Sequence, residues 1–192
     1  MPSSFLALPD LSRATRLLAA VIALGLFTSC DGNKSSTNAP TIAADRSAAY
    51  RELDITLPDL QGESYTLTSN RATDVHVLAF WAAWCTPCQA ELAQLKVIFA
   101  DLKSRGLHVY AISIDSPETA SRAASIAKQY NYGFPVLVDR ETSVLTRYNQ
   151  SGEIPFYVVL NADGEKIKEH QGYNRGDEVE LRSYLESLLP KP

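Results

Sequence analysis

Polar and apolar residues alternate with period two along Leu53-Asp54-Ile55-Thr56-Leu57 and again along Ser64-Tyr65-Thr66-Leu67-Thr68, on either side of Pro58, Asp59 and Gly62. Alternation flanking turn residues predicts an antiparallel hairpin. Two further runs, Val75 to Trp81 and Leu107 to Ile114, are almost continuously apolar, the pattern of central strands covered on both faces. Between them Leu92, Leu95, Phe99 and Leu102 recur at helical spacing and Gly106 closes the segment, so this stretch predicts a β-α-β unit.

A second helix is expected after Ser116, with Pro117 at its first position and Glu118 in its first turn, ending near Tyr132-Gly133. A short strand follows at Val136 to Val138, then a helical turn or two over Glu141 to Tyr148. Phe156 to Leu160 and Lys166 to Gln171 read as antiparallel strands joined by a tight turn at Ala162-Asp163-Gly164. Asp177 to Leu189 reads as a closing helix with Val179, Leu181, Leu185 and Leu188 turned inward. Strands mixed with crossover helices predict an α/β sandwich around one mixed sheet.

The first thirty residues follow a different pattern. Arg13 and Arg16 precede an apolar run from Leu17 to Phe27, and Thr28, Ser29 and Cys30 follow it, which is the anatomy of an export signal. A helix of that run's length spans only about 16 Å, half a bilayer's hydrocarbon, so a transmembrane anchor is the weaker reading. Phe27-Thr28-Ser29-Cys30 resembles a bacterial lipobox, with Phe27 where an aliphatic residue is usual; the resemblance implies that Cys30 is lipidated and begins the mature protein. Asp31 resembles an inner-membrane retention signal. From Asp31 to about Ala49 small and polar residues predominate, as in a flexible tether. The expected organisation is a leader over 1–29, a tether over 30–49 and one folded domain over 50–192.

Composition narrows the function. With 18 Lys plus Arg against 22 Asp plus Glu and no basic cluster, the chain lacks the electrostatic footprint of a nucleic-acid binder. Its 3 cysteines are too few for a disulfide-stapled scaffold, and none lies near a histidine at zinc-ligand spacing. His76, His108 and His170 fall on three separate predicted strands and read as packing or surface residues; Tyr148 and Tyr173 have no reading beyond structure.

The chemistry concentrates where the first central strand meets its helix, in Phe80-Trp81-Ala82-Ala83-Trp84-Cys85-Thr86-Pro87-Cys88. Two thiols three positions apart on a helix's first turn can close a disulfide, and the outer sulfur faces unpaired backbone N–H groups that favour thiolate. Half a zinc site has the same spacing, but position after an apolar strand in a β-α-β unit points to redox work. Trp81 reads as core and Trp84 as the edge of the site.

This run, with the later Gly152-Glu153-Ile154-Pro155 before a strand, resembles the thioredoxin superfamily. A finer resemblance, over Leu53 to Leu189, is to its exported TlpA/ResA-like branch, marked by the leading hairpin, the added helix and strand around Phe134 to Asp139, and Glu91 three residues after Cys88. The resemblance implies a three-layer thioredoxin-like sandwich and a cis Ile154–Pro155 bond that places the Ile154 backbone beside Cys85 for an extended substrate. Thr86, Pro87 and Trp84 would complete the substrate surface. Glu91 alone reads as a solvated carboxylate; the family reading makes it a buried proton relay for Cys88. Two positions depart from the family. Ala79 replaces the polar residue beneath the cysteines, leaving Glu91 as the expected sole nearby carboxyl group, and Ala93 replaces a kinking proline.

The implied function is thiol-disulfide exchange on protein substrates outside the cytoplasm, without a cofactor or metal. Cys85 would be the nucleophile and Cys88 the resolving thiol. The Thr86-Pro87 spacer carries no cation to stabilise thiolate, which favours a reductant recharged by a membrane thiol carrier, with apocytochrome c as one branch-typical substrate. A disulfide-introducing oxidase and a Cu(I) or Zn binding module remain open alternatives.

Overall fold

The computed structural model describes residues 51–192, so the leader, the tether and Cys30 lie outside the described residues. Two strands, β1 (Arg51–Pro58) and β2 (Ser64–Ser69), pair antiparallel in a sheet of their own. The main sheet has the order β5-β4-β3-β6-β7, built from β3 (Val75–Trp81), β4 (Leu107–Ser113), β5 (Val136–Val138), β6 (Phe156–Leu160) and β7 (Lys166–Gln171). β3 pairs parallel with β4, and β4 with β5; β6 runs antiparallel to both β3 and β7. The helices are α1 (Thr86–Leu102), α2 (Ala120–Tyr130), α3 (Ser143–Tyr148) and α4 (Asp177–Leu188). No helix among the described residues is long and apolar enough to cross a membrane.

Side-chain alternation along β3 divides the core in two. Val75, Val77, Ala79 and Trp81 face one side, where α1, α2 and α4 deliver Leu92, Leu95, Ala123, Ala127, Leu181 and Leu185. Leu78 and Phe80 face the other, where the hairpin contributes Leu53, Ile55, Leu57 and Leu67 and α3 contributes Val144 and Leu145. Burial on both faces accounts for the unbroken apolar runs of β3 and β4. The arrangement is the expected three-layer thioredoxin-like sandwich.

Three local expectations change. α2 begins at Ala120 rather than Pro117, because the Ser116 carbonyl accepts from both Thr119 and Ala120 and leaves Pro117 and Glu118 in a preceding turn. The same helix stops at Asn131, which takes the left-handed conformation (φ 44°), and the chain then turns Tyr132 inward between the rings of Tyr130 and Phe134. On α4, Val179 is 64% exposed and Leu188 37%. At about 100° per residue, Val179 lies on the far side of the helix from Leu181 and Leu185, and Leu189, just beyond the helix, fills the inward place expected of Leu188. α1 runs unbroken for 17 residues through Ala93.

A buried polar cluster ties the hairpin to the start of β3. Ser69 Oγ lies 2.6 Å from His76 Nε2, and the His76 ring stacks on His108 at 4.7 Å. Asp74, also buried, accepts from the amides of Asn70 and Arg71 and pairs with His108 Nε2 at 3.2 Å. Desolvation, reinforced by His108 and opposed by Asp74, lowers the His76 pKa to about 4 from 6.5. Unfolding must therefore take up a proton at pH values between those two, so stability held above pH 6.5 is lost as pH falls toward 4. In His76→Gln this loss should shrink by on the order of 3 kcal/mol. Urea denaturation across that pH range measures it, and identical pH slopes in the two proteins would refute the assignment.

Candidate functional site: a redox disulfide at the start of α1

β3 ends at Trp81 and the chain crosses Ala82, Ala83 and Trp84 before α1 begins, with Cys85 as its N-cap. An N-cap ordinarily supplies an oxygen to the helix's unpaired amides. Here the acceptor is sulfur: the Cys88 amide donates to Cys85 Sγ at 3.3 Å. Pro87 sits within the first turn, where its missing N–H leaves no helical hydrogen bond unmade. Cys85 and Cys88 are joined as a disulfide, with Cα atoms 5.3 Å apart.

The two sulfur-bearing residues differ in access. Cys85 is 5% exposed and Cys88 fully enclosed, so the outer cysteine presents only a narrow surface. Trp84 beside it is 57% exposed, and Thr86 and Pro87 are exposed as well. Trp81 is wholly buried, with its ring edge-on to Tyr132. The Ile154–Pro155 bond is cis. The β3–β6 register pairs Phe80 with Phe156; one further step sets Pro155 opposite Trp81, with Ile154 beyond it toward the cysteine loop. Ile154 packs against the core cluster that contains both cysteines, and the Pro155 carbonyl is occupied by the Gly172 amide and the Gln171 side chain.

Glu91 is buried on the face of α1 that also carries Cys88, Leu92 and Leu95, not solvated as its sequence position alone would have it. Among the described residues its Oε1 has no hydrogen-bond partner. Desolvation, then repulsion from Asp177, raises its pKa to about 8. It lines a small pocket with Tyr157, Tyr173, Asp177 and Glu178, whose walls include neither cysteine. Burial, the hydrogen bond to Glu178 and the charges of Glu178 and Glu91 push Tyr173 up to about 12.

Glu91 is not the sole carboxyl group at the site. Asp115, two residues beyond β4, is buried, and both of its oxygens accept from the Ala83 amide, at 3.1 and 2.9 Å. Ser113 Oγ donates to the same carboxylate at 2.8 Å. On the other side of the loop, Gln89 Nε2 donates to the Ala83 carbonyl at 3.0 Å. The sequence signal for Asp115 was its place just past the carboxyl end of a central strand, the edge where sites form in α/β sheets; Gln89 carried none. Among the described residues no cluster of histidine, cysteine and carboxylate is arranged to hold a metal ion.

Comparison with known proteins agrees with this geometry. The thiol-disulfide oxidoreductase ResA of Geobacillus kaustophilus is 28% identical over 137 residues, covering 71% of this chain and 75% of the relative. ResA of Halalkalibacterium halodurans is 28% identical over 151 residues, covering 77% and 82%. A secreted Mycobacterium tuberculosis disulfide oxidoreductase, homologous to E. coli DsbE, shares the fold at a TM-score of 0.55 and 24% identity, over 70% of this chain and 96% of that one. Residues 50–171 match the AhpC/TSA family, and with the closed Cys85–Cys88 pair at the head of α1 the chain belongs to that family as an enzyme of the thiol-disulfide oxidoreductase class.

Proposed function

We propose that the protein is an extracytoplasmic reductase of disulfides in exported proteins, apocytochrome c among them. In this reading it is held at a membrane by a lipidated Cys30 and recharged by a membrane thiol carrier. The observation that carries the reading is the disulfide that closes the first turn of α1, with the Cys85 sulfur accepting a helix amide and Cys88 enclosed behind it.

In the reduced enzyme that amide and the helix dipole favour Cys85 as thiolate. Cys85 attacks one sulfur of the substrate disulfide, the other substrate sulfur leaves as a thiolate, and a mixed disulfide forms. Cys88 loses its proton and attacks Cys85, which releases the second substrate thiol and closes the enzyme disulfide. Two electrons pass from enzyme to substrate. Trp84, Thr86, Pro87 and the Ile154 main chain form the docking surface, where an extended segment can add as a strand. The spacer carries no cation, and the buried carboxylate of Asp115 nearby disfavours additional negative charge. Both features weaken thiolate stabilisation and so favour a reductant over an oxidase. The ResA relatives support the same class of reaction.

Three outcomes are expected. Cys85 should alkylate faster than Cys88 in the reduced protein, and Cys88→Ser should accumulate mixed disulfides with exported proteins, read by mass spectrometry; faster alkylation at Cys88 would reverse the roles. Cys30→Ala should shift the protein from the membrane to the soluble fraction with thiol chemistry intact, and an unchanged partition would remove the lipid anchor.

Glu91→Gln tests the relay. A pKa near 8 places the wild-type carboxyl close to the operating pH, where acid-base assistance is typically worth about 10²- to 10⁴-fold. Resolution of the mixed disulfide should slow by at least about tenfold and lose its pH step near 8. The folded-state pKa is raised, so wild-type stability falls as pH rises from 4.5 toward 8. The oxidised variant should therefore gain about 1–3 kcal/mol at the upper end of that range. Unchanged resolution kinetics would return Glu91 to a structural role.

A further inference from the structure

The Ala83 main chain, two residues ahead of Cys85, is held from both sides. Its amide donates to both oxygens of Asp115 and its carbonyl accepts from Gln89 Nε2. Around that grip the loop is also fixed by the Cys85 amide on the Ala82 carbonyl at 3.0 Å and the Ile114 amide on the Trp81 carbonyl at 2.9 Å. Asp115 is itself positioned: its own amide donates to Ser113 Oγ at 3.1 Å, and that hydroxyl returns a hydrogen bond to Oδ2. The side chain is buried, and among the described residues no lysine, arginine or histidine forms an ion pair with it.

A single backbone hydrogen bond needs only a neutral acceptor, and an asparagine or a serine would serve. A carboxylate brings a full negative charge into a site of low polarity, where charge interactions are stronger than in water. Its neighbour in space, though 32 positions away in sequence, is the loop that carries the nucleophilic cysteine. The helix amides draw negative charge onto Cys85; Asp115 opposes it from the other side of the loop. In the reduced enzyme this raises the cost of a thiolate, and a costlier thiolate makes the dithiol a better reductant.

We propose that Asp115 is a positioning residue for the dithiol, fixing the Ala83 main chain ahead of Cys85 and, through its buried charge, holding the Cys85–Cys88 pair on the reducing side. Gln89 completes the grip without charge. The inference rests on the reading of Cys85 and Cys88 as an exchanging redox pair.

Asp115→Asn separates charge from shape, because the amide oxygen can still accept from Ala83. The pH dependence of Cys85 alkylation gives the thiol pKa, and equilibration with mixtures of reduced and oxidised glutathione gives the redox balance. The variant should lower the Cys85 pKa by about half a unit and raise the ratio of reduced to oxidised protein in a given mixture by up to about threefold. Gln89→Met is the control: it frees the Ala83 carbonyl without altering charge, so the Cys85 pKa should hold while acrylamide quenching of Trp84 fluorescence increases.

Unchanged pKa and redox balance in a folded Asp115→Asn protein would overturn the proposal, as would an equal pKa fall in Gln89→Met. If Asp115→Asn does not fold, Ser113→Ala replaces it. That change withdraws a hydroxyl donor from the carboxylate and leaves its charge less compensated, so the Cys85 pKa should rise; a fall or no change refutes the role. A wild-type protein that fails to equilibrate with glutathione at all would overturn the redox reading itself, an outcome distinct from the others.

Discussion

The parallel pairing of β3 with β4 is the constraint from which the site follows. All seven residues of β3 are in register with β4, from Val75 opposite Leu107 to Trp81 opposite Ser113, so both strands release the chain at the same edge of the sheet. One chain continues into Ala82, Ala83 and the cysteine helix; the other continues into Ile114 and Asp115. The two exits then bond to each other, Ile114 to Trp81 and Asp115 to Ala83. A parallel pair requires a crossover between its strands, and here the crossover is α1 itself. The redox helix thus starts where the sheet's strand ends bring main-chain donors and a buried carboxylate together.

Polar groups of different kinds gather near the start of the redox helix. The α1 amides supply positive potential at Cys85, as any helix start does. Two buried carboxyl groups near that start, Glu91 and Asp115, differ in how their oxygens are bonded. Among the described residues Glu91 has an unpartnered oxygen, and burial raises its pKa to about 8, so it is held largely protonated at neutral pH. Asp115 uses both oxygens as acceptors of main-chain and hydroxyl hydrogens. One carboxyl group is thus poor in partners and the other well supplied with them.

Much of this architecture follows from local pattern. The hairpin, both central strands, the turn at Ala162 to Gly164 and the position of the redox helix were legible because period-two alternation, double-sided apolar runs and helical spacing each have a distinct signature. The helix ends were less so. Pro117 is an admissible first helical residue, but whether it enters the helix depended on which amides the Ser116 carbonyl captured. Val179 was equally apolar with Leu181, and only the packing of α4 on the sheet decided which of the two is buried.

By itself the sequence determined the dithiol, its place after a central strand and the class of chemistry it performs, since residue identity and spacing along one helix turn are local quantities. It determined also that Glu91 shares a helix face with Cys88, because a three-residue step allows nothing else. The burial of Glu91 against the start of α4, the grip of Asp115 and Gln89 on Ala83, and the edge-on contact of Tyr132 with Trp81 were decided by tertiary structure alone. Asp115 lies 32 positions from Ala83. Contacts across such separations come from strand register and helix docking, which no periodicity in a short window encodes.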